Sequence, residues 1–192
     1  MYLSIRGLNS SVGDLSHNFV LRQKADIVAL SETWLNDLVE SIFEKINGYT
    51  NWVRKDREGR VGGGAAVCFE NDFQTQELSV NLPQMMEALF FRIVLADNSG
   101  LLLCLLYCPP RQGRSSLNFL AEELDNLLQH HGCKNVLIVG DVNFHLEQQA
   151  YDNLVTVLGL TNHITLNVPI VGMKFSYPQK GRAAQPSVIR PS

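Results

Sequence analysis

Apolar runs of strand length recur along the chain, and each stops at residues that form turns. Four apolar residues, Val136–Val139, end at Gly140 and Asp141, and the run Leu101–Tyr107 ends before a double proline. Short runs rich in branched residues are typical of strands buried on both faces. Further strands are predicted within the segments MYLSIRGLNS, ADIVALSETWL, VGGGAAVCFE and MEALFFRIVL. The strand ends are the places where polar groups can emerge from a rigid scaffold.

Three segments have the apolar spacing of helices. The clearest is SSLNFLAEELDNLLQHHG, which begins with serine, ends before Gly132 and carries one apolar face, formed by Leu117, Leu120, Leu124 and Leu127. The spacing of Val12, Leu15 and Phe19 predicts a helix within residues 11–24, and a third is expected over Ala150–Leu158. Strands and helices follow each other in mixed order, which predicts an α/β sandwich of sheets flanked by helices.

Length and charge limit the domain organisation and the partners. The 192 residues are 45% hydrophobic and 18% charged, which suits one domain. We place it at residues 1–168, and we expect the segment 169–192, rich in Pro, Gly, Ser and Arg, to be a poorly ordered tail. A formal charge of -3 means that any contact with nucleic acid must come from a local cluster of Arg and Lys.

Cysteine usage and hydropathy bear on location. The four cysteines have neither zinc-finger nor CxxC spacing, and the first residues lack a secretory pattern, so an intracellular location is expected. The longest apolar stretch, Leu101–Tyr107, is too short to cross a bilayer. No membrane partner is expected.

Two acids stand at strand exits, where α/β proteins commonly mount their chemistry. Glu32 follows the run IVALS, and Asp141 follows VLIVG with Asn143 two residues later. Mg²⁺ takes carboxylate oxygens together with waters and phosphate, and an amide can orient a phosphate. Taken alone, either acid is more simply explained as a residue that caps a turn or a helix, and only the set of residues favours a metal site.

The motifs IRGLNSSVGDL, ADIVALSETWL, RKDREGRVGGGAAV, LLYCPP, VLIVGDVNFHL and LGLTNHIT occur here in a fixed order. In this order the chain resembles the endonuclease/exonuclease/phosphatase family, and most of all the apurinic-endonuclease-like domain of non-LTR retrotransposons. The resemblance runs from about Leu3 to Thr165. It implies a four-layered α/β sandwich of mixed sheets, incomplete at the C-terminus.

The resemblance also implies roles for four residues. Glu32 matches the metal-binding Glu for Mg²⁺ or Mn²⁺, and Tyr107 matches a Tyr that hydrogen-bonds the phosphate. Asp141 matches the general base or nucleophile-orienting acid, and Asn143 matches the Asn that contacts the phosphate in the transition state. The implied activity is hydrolysis of DNA that leaves a nick with a free 3′ hydroxyl, in the nucleus. We expect a monomer, and we expect no nucleotide cofactor because the three glycines lack a Walker context.

Basic and aromatic residues near these motifs are candidates for DNA contacts. Arg57 and Arg60 flank the glycine loop, and Arg6 follows the first strand, so all three are candidates for backbone phosphates. A solvated loop explains Arg57 and Arg60 as well. For Trp34 and Trp52 we favour packing over stacking on a base.

Two departures from the family pattern bear on activity. Ser4 stands where the family has an Asn that helps to arrange the metal ligands, and the family's Ser-Asp-His motif is absent from the sequence. We therefore expect a truncated and impaired nuclease. The alternatives are a non-catalytic remnant that binds DNA or protein, and a phosphoesterase of the same superfamily that acts on small phosphate esters.

Overall fold

A computed structural model describes residues 1–8, 13, 15–36, 46–57, 62–84, 86–108, 113–141, 147–162 and 175–176. Its main feature is a pair of four-stranded sheets. The first sheet contains β1 (Tyr2–Ser4), β2 (Ile27–Ser31), β3 (Val53–Lys55) and β4 (Ala65–Phe69) in the order β1-β2-β4-β3. The second contains β5 (Thr75–Glu77), β6 (Glu87–Val94), β7 (Gly100–Tyr107) and β8 (Cys133–Asp141) in sequence order.

Both sheets are mixed. In the first, β1 runs parallel to β2, and β4 pairs antiparallel with β2 and with β3. In the second, β7 and β8 are parallel and the other pairs are antiparallel. A parallel pair requires a crossover connection, and the helix α2 (Gly113–His130) supplies it between β7 and β8.

The helices agree with the apolar spacing, apart from the first one. The helix α2 covers the predicted segment, and α3 (Gln148–Leu158) covers the third predicted helix. The N-terminal segment forms a π-helical stretch, Leu15–Val20, followed by the short α1 (Leu21–Gln23). A π-helix closes i to i+5 hydrogen bonds, and residues five apart, here Leu15 and Val20, share its buried face. Accordingly Leu15 is buried, whereas Phe19 is 42% exposed.

Three clusters of apolar side chains hold the helices and sheets together. Between the sheets, aromatic and branched side chains from both sheets pack together, among them Phe69 and Phe91, whose rings meet edge to face. A second cluster joins the outer face of β6–β8 to α2 and α3, and a third joins the outer face of the first sheet to the N-terminal helical segment. Helix, sheet, sheet and helix therefore form four layers, and the predicted four-layered α/β sandwich is confirmed.

The last described strands form a small separate ribbon. β9 (Thr161–Asn162) pairs antiparallel with β10 (Phe175–Ser176). Within the tail that we expected to be poorly ordered, β10 is the described part, and the remaining residues of 169–192 lie outside the described ones. No helix among the described ranges is both long enough and apolar enough to span a membrane.

Candidate active site

The site forms where the ends of strands from both sheets meet. In the first sheet, Ser31 is the last residue of β2, it is fully buried, and its Oγ lies 2.6 Å from the hydroxyl of Tyr2. In the second sheet, Tyr107 ends β7 and lies opposite Asp141, the last residue of β8. The residue after Ser31 is Glu32, so the end of β2 delivers this acid toward the ends of β7 and β8.

The carboxylate of Glu32 is held at both oxygens. The Tyr107 hydroxyl donates a hydrogen bond to Oε1, and the Trp34 indole Nε1–H donates to Oε2 at 2.5 Å. The first bond joins the two sheets, since Tyr107 belongs to the second and Glu32 follows a strand of the first. Together, the Tyr107 hydroxyl and the Trp34 N–H fix the orientation of the Glu32 carboxylate.

The chain around Glu32 is strained. Glu32 and Trp34 have φ angles of 58° and 55°, the left-handed region that ordinary residues avoid at a cost of about 1–2 kcal/mol each. Backbone hydrogen bonds hold this conformation, from Gly7 N–H to the Glu32 carbonyl and from Trp34 N–H to the Gly63 carbonyl, both at 2.9 Å. Such strain concentrates at functional sites, because it aims side chains that a relaxed turn would point elsewhere.

Asp141 joins the same site from the other side. Its carbonyl accepts a hydrogen bond from Cys108 N–H at 2.9 Å, so the ends of β7 and β8 stay paired up to this point. Burial above all raises the pKa of Tyr2, the bond to Ser31 lowers it, and the charges of Asp141 and Glu32 raise it further. Tyr107 is the register partner of Asp141 and donates a hydrogen bond to Glu32, so the structure brings Glu32, Tyr107 and Asp141 together.

Tyr107 is kept in its protonated form. Burial raises its pKa most, the hydrogen bond to Glu32 and the charge of that acid raise it further, and Arg57 opposes them. A hydroxyl that stays protonated remains a hydrogen-bond donor over the whole physiological pH range.

Arg57 and Glu87 form an ion pair beneath this tyrosine. Glu87, 8% exposed, accepts hydrogen bonds from Arg57 Nε and, at 2.6 Å, from Gly64 N–H. The Arg57 guanidinium lies 5.3 Å from the centre of the Tyr107 ring. Burial lowers the pKa of Arg57, but the hydrogen bond to Glu87, the charge of Glu87 and the interaction with Tyr107 together raise it. Arg57, which we proposed as a contact to backbone phosphate, thus lies inside the site.

Glu87 is a site residue that the sequence did not reveal. It opens the apolar strand β6, where a single acid is most simply explained as the solvated start of a strand. Its β-sheet partner is Tyr107. A buried acid needs such partners, and those available here come from residues 57, 64 and 107 rather than from neighbours in sequence.

The three glycines allow their loop to pack closely against residues of the site. Gly62, Gly63 and Gly64 all have positive φ angles. A Cβ at Gly63 would lie 2.4 Å from the Arg57 guanidinium carbon, and one at Gly64 would lie 2.4 Å from Thr33 Oγ1. Glycine is required here both for the backbone conformation and for close approach, so the loop does more than turn the chain.

Comparisons with known proteins fit this architecture. No family model and no curated protein matches the sequence. Solved structures do match: a 3′ phosphatase, NExo, from Neisseria bound to a product DNA hairpin has a TM-score of 0.62 and 13% identity over 92% of this chain and 85% of its own. An AP endonuclease from Archaeoglobus fulgidus gives 0.61, with 13% identity and the same coverage. A mannosyl-6-phosphatase from Bacteroides thetaiotaomicron gives 0.61, with 16% identity over 92% and 84%.

The fold is that of the endonuclease/exonuclease/phosphatase superfamily. At these identities the likeness establishes the architecture, and the subtype carried by retrotransposons stays a prediction.

The other candidate site residues are placed as follows. Ser4 is exposed at the end of β1, in register with Ser31, and Arg6 is exposed with a φ of 44°. Asn143 and Arg60 lie outside the described residues. The roles of all these residues stay predictions.

The donor set is compatible with a hard cation. The described part of the chain contains no group of three or more His, Cys, Asp or Glu side chains that could hold a metal ion. Mg²⁺, however, is often bound by one or two protein carboxylates, with waters and substrate phosphate completing the shell. Each oxygen of Glu32 that accepts a hydrogen bond keeps a second lone pair. Glu32, with Asp141 nearby, would therefore hold Mg²⁺ or Mn²⁺ in this superfamily fold.

Proposed function

We propose that the chain is a metal-dependent phosphodiester hydrolase that nicks DNA, of the type that non-LTR retrotransposons carry. The observation that supports it most is Glu32, fixed by Tyr107 and Trp34 beside Asp141 at the meeting point of the two sheets. The ordered motifs around these residues favour the retrotransposon subtype.

Each residue has a part in this hydrolysis that suits its environment. A bound Mg²⁺ would supply neutralisation of charge on the phosphate. Tyr107 stays protonated and donates its hydrogen bond to the Glu32 carboxylate. Asp141, at the end of a rigid strand, accepts a proton from the attacking water. Asn143 contacts the phosphate. The water oxygen bonds to phosphorus as the bond to the 3′ oxygen breaks, and the leaving oxygen takes a proton to become the 3′ hydroxyl.

Activity is expected to be low. The sequence has no Ser-Asp-His motif, whose His donates to the phosphate or polarises the water in the superfamily, and the loss of one member of a catalytic unit costs orders of magnitude. We expect the chain to relax supercoiled plasmid barely above background, with EDTA abolishing the activity. Adding the superfamily's strands that contain this motif should restore nicking, and Asp141→Ala in the extended chain should remove it again.

Two results of this assay would contradict these expectations, the first concerning the level of activity and the second concerning the proposed function. Strong nicking by the native chain that EDTA abolishes would make the missing His dispensable. An extended chain that folds and remains inactive would exclude the nuclease assignment itself.

The affinity for Mg²⁺ tests separately whether the residues around the proposed metal site are adequate. Ser4 offers one hydroxyl where the superfamily has an amide, so we expect Mg²⁺ to bind weakly without nucleic acid. Calorimetric titration should find tighter binding after Ser4→Asn. Tight binding by the native chain would mean that Ser4 is an adequate substitute.

A phosphatase acting on small esters is the second candidate, because the mannosyl-6-phosphatase matches the fold as well as the DNA-processing enzymes do. Release of phosphate from sugar phosphates, sensitive to EDTA and lost in Asp141→Ala, would favour it over the nuclease. A chain that binds DNA or protein and equals its Asp141→Ala variant in every assay would be a non-catalytic remnant.

A further inference from the structure

Trp34, for which the sequence favoured packing, is instead a large aromatic side chain exposed at the site itself. It is 47% exposed, whereas the other exposed large apolar side chains in the described ranges, Phe19, Leu21 and Val157, belong to helices. A single exposed apolar residue is ordinary on a protein surface. This one differs because its indole nitrogen donates directly to Glu32, the acid that we place at the reaction centre.

One edge of the indole is fixed. Nε1 donates to Glu32 Oε2, and a Cβ at Gly62 would lie 3.7 Å from Nε1 and 4.0 Å from Cδ1. The five-membered ring therefore lies beside Gly62 and Glu32, and the hydrogen bond to Glu32 restricts the rotamer. The half-exposed indole is then held at a set position, which an ordinary flexible surface tryptophan does not provide.

The backbone indicates that this position is specifically imposed. Trp34 has a φ of 55°, where glycine or asparagine would be relaxed, and its N–H is bonded to the Gly63 carbonyl. The neighbouring Thr33 is fully buried and Leu35 nearly so, hence the chain turns the tryptophan outward between two residues that enter the interior.

We propose that Trp34 is a stacking platform for a nucleobase of the DNA substrate, next to the phosphate that the site cleaves. This inference rests on the proposed nuclease function and names the residue that would recognise the base. A base offers a planar π-face that an indole can stack on whatever its sequence. The formal charge of -3 gives the chain little electrostatic attraction for DNA, so contacts of this kind would carry much of the affinity.

Fluorescence quenching in EDTA tests stacking without any turnover. The chain has two tryptophans, so Trp34→Phe reports on Trp52 alone and Trp52→Phe reports on Trp34 alone. A single-stranded oligonucleotide should quench Trp52→Phe and leave Trp34→Phe unquenched. A matched oligonucleotide of abasic sites should not quench, and by anisotropy it should bind about 5- to 150-fold more weakly. Binding without quenching of Trp34, or no binding, would overturn the proposal.

Two variants separate stacking from a role confined to holding Glu32. Trp34→Phe keeps an aromatic face and loses the N–H donor, whereas Trp34→Gln keeps an N–H donor and loses the ring. Stacking predicts that the phenylalanine variant keeps oligonucleotide affinity within a few-fold and that the glutamine variant loses it. The reverse order would show that Trp34 only positions the acid.

The outcome can be told apart from failure of the nuclease assignment. Suppose that the oligonucleotide quenches Trp34 fluorescence while even the extended chain shows no EDTA-sensitive nicking. That result would support the platform and exclude the catalytic function. EDTA-sensitive nicking with a KM unchanged by Trp34→Gln would exclude the platform and leave the function standing. If mannose 6-phosphate quenches Trp34 as strongly as the oligonucleotide does, the indole face binds a sugar ring, and the proposed stacking on a nucleobase is overturned.

Discussion

Replacing Gly64 by alanine would insert a methyl group between the glycine loop and the residue that follows Glu32. The added Cβ would lie 2.4 Å from Thr33 Oγ1, far inside van der Waals contact, and the φ of Gly64 is 85°. Thr33 is fully buried, so its side chain has little room to move away. Two penalties therefore act together, one from the backbone and one from the clash.

Gly48 separates the two penalties. Its φ is 87°, nearly the same, but a Cβ there would meet nothing within 4 Å. We expect Gly48→Ala to lower the free energy of unfolding by about 1–2 kcal/mol, the cost of a side chain in the left-handed region. Gly64→Ala should add about 1–3 kcal/mol of overpacking to the same backbone cost.

Urea denaturation of the two variants measures this difference. The midpoint should fall further for Gly64→Ala, and any nicking activity should fall too, because Thr33 stands between Glu32 and Trp34. Combining Gly64→Ala with Thr33→Ala removes the clashing oxygen and should recover most of the extra loss. Equal losses for Gly48→Ala and Gly64→Ala would refute the close packing of the glycine loop on Thr33.

Three other predictions follow from the site and its surroundings. Tyr107→Phe removes a donor to Glu32 and should lower EDTA-sensitive nicking by about 10²-fold in the extended chain, with little change in melting temperature; unchanged nicking would exclude the hydroxyl from catalysis. Glu87→Gln leaves the half-buried Arg57 without its anion and should cost about 1–3 kcal/mol in urea unfolding, part of which Arg57→Met in the same chain should recover. Burial raises the pKa of the Cys108 thiol to about 11, so below pH 9 the thiol is neutral in both states, and between pH 9 and 11 only the unfolded chain ionises. Stability should therefore fall over that pH range, and Cys108→Ala should reduce the fall; a urea midpoint with the same pH slope in both chains would contradict this.

Local patterns identified the elements whose burial depends on one neighbouring layer. The leucine spacing of α2 predicted an apolar face, and that face packs on the outer side of β6–β8. The run before Asp141 predicted a buried strand that ends at this residue, as β8 does. The periods of helices and strands survive in the sequence because each element has to bury one face or both.

Other features depend on residues far apart in the chain. The motifs named Glu32, Tyr107 and Asp141, but their meeting depends on the register of β7 with β8 and on the packing of one sheet upon the other. The burial of Glu87 likewise depends on partners 23 and 30 residues away. No local pattern carries such information, because these contacts form only when distant segments pack together.

The sequence by itself therefore determined the class of fold, the main strands and helices and the acids at strand ends. Tertiary structure alone decided how those acids are held: the left-handed backbone at Glu32 and Trp34, the two donors on the Glu32 carboxylate and the exposure of the indole. The physical reason is that propensity and periodicity describe residues in an average environment, whereas backbone strain persists only where long-range contacts compensate for it.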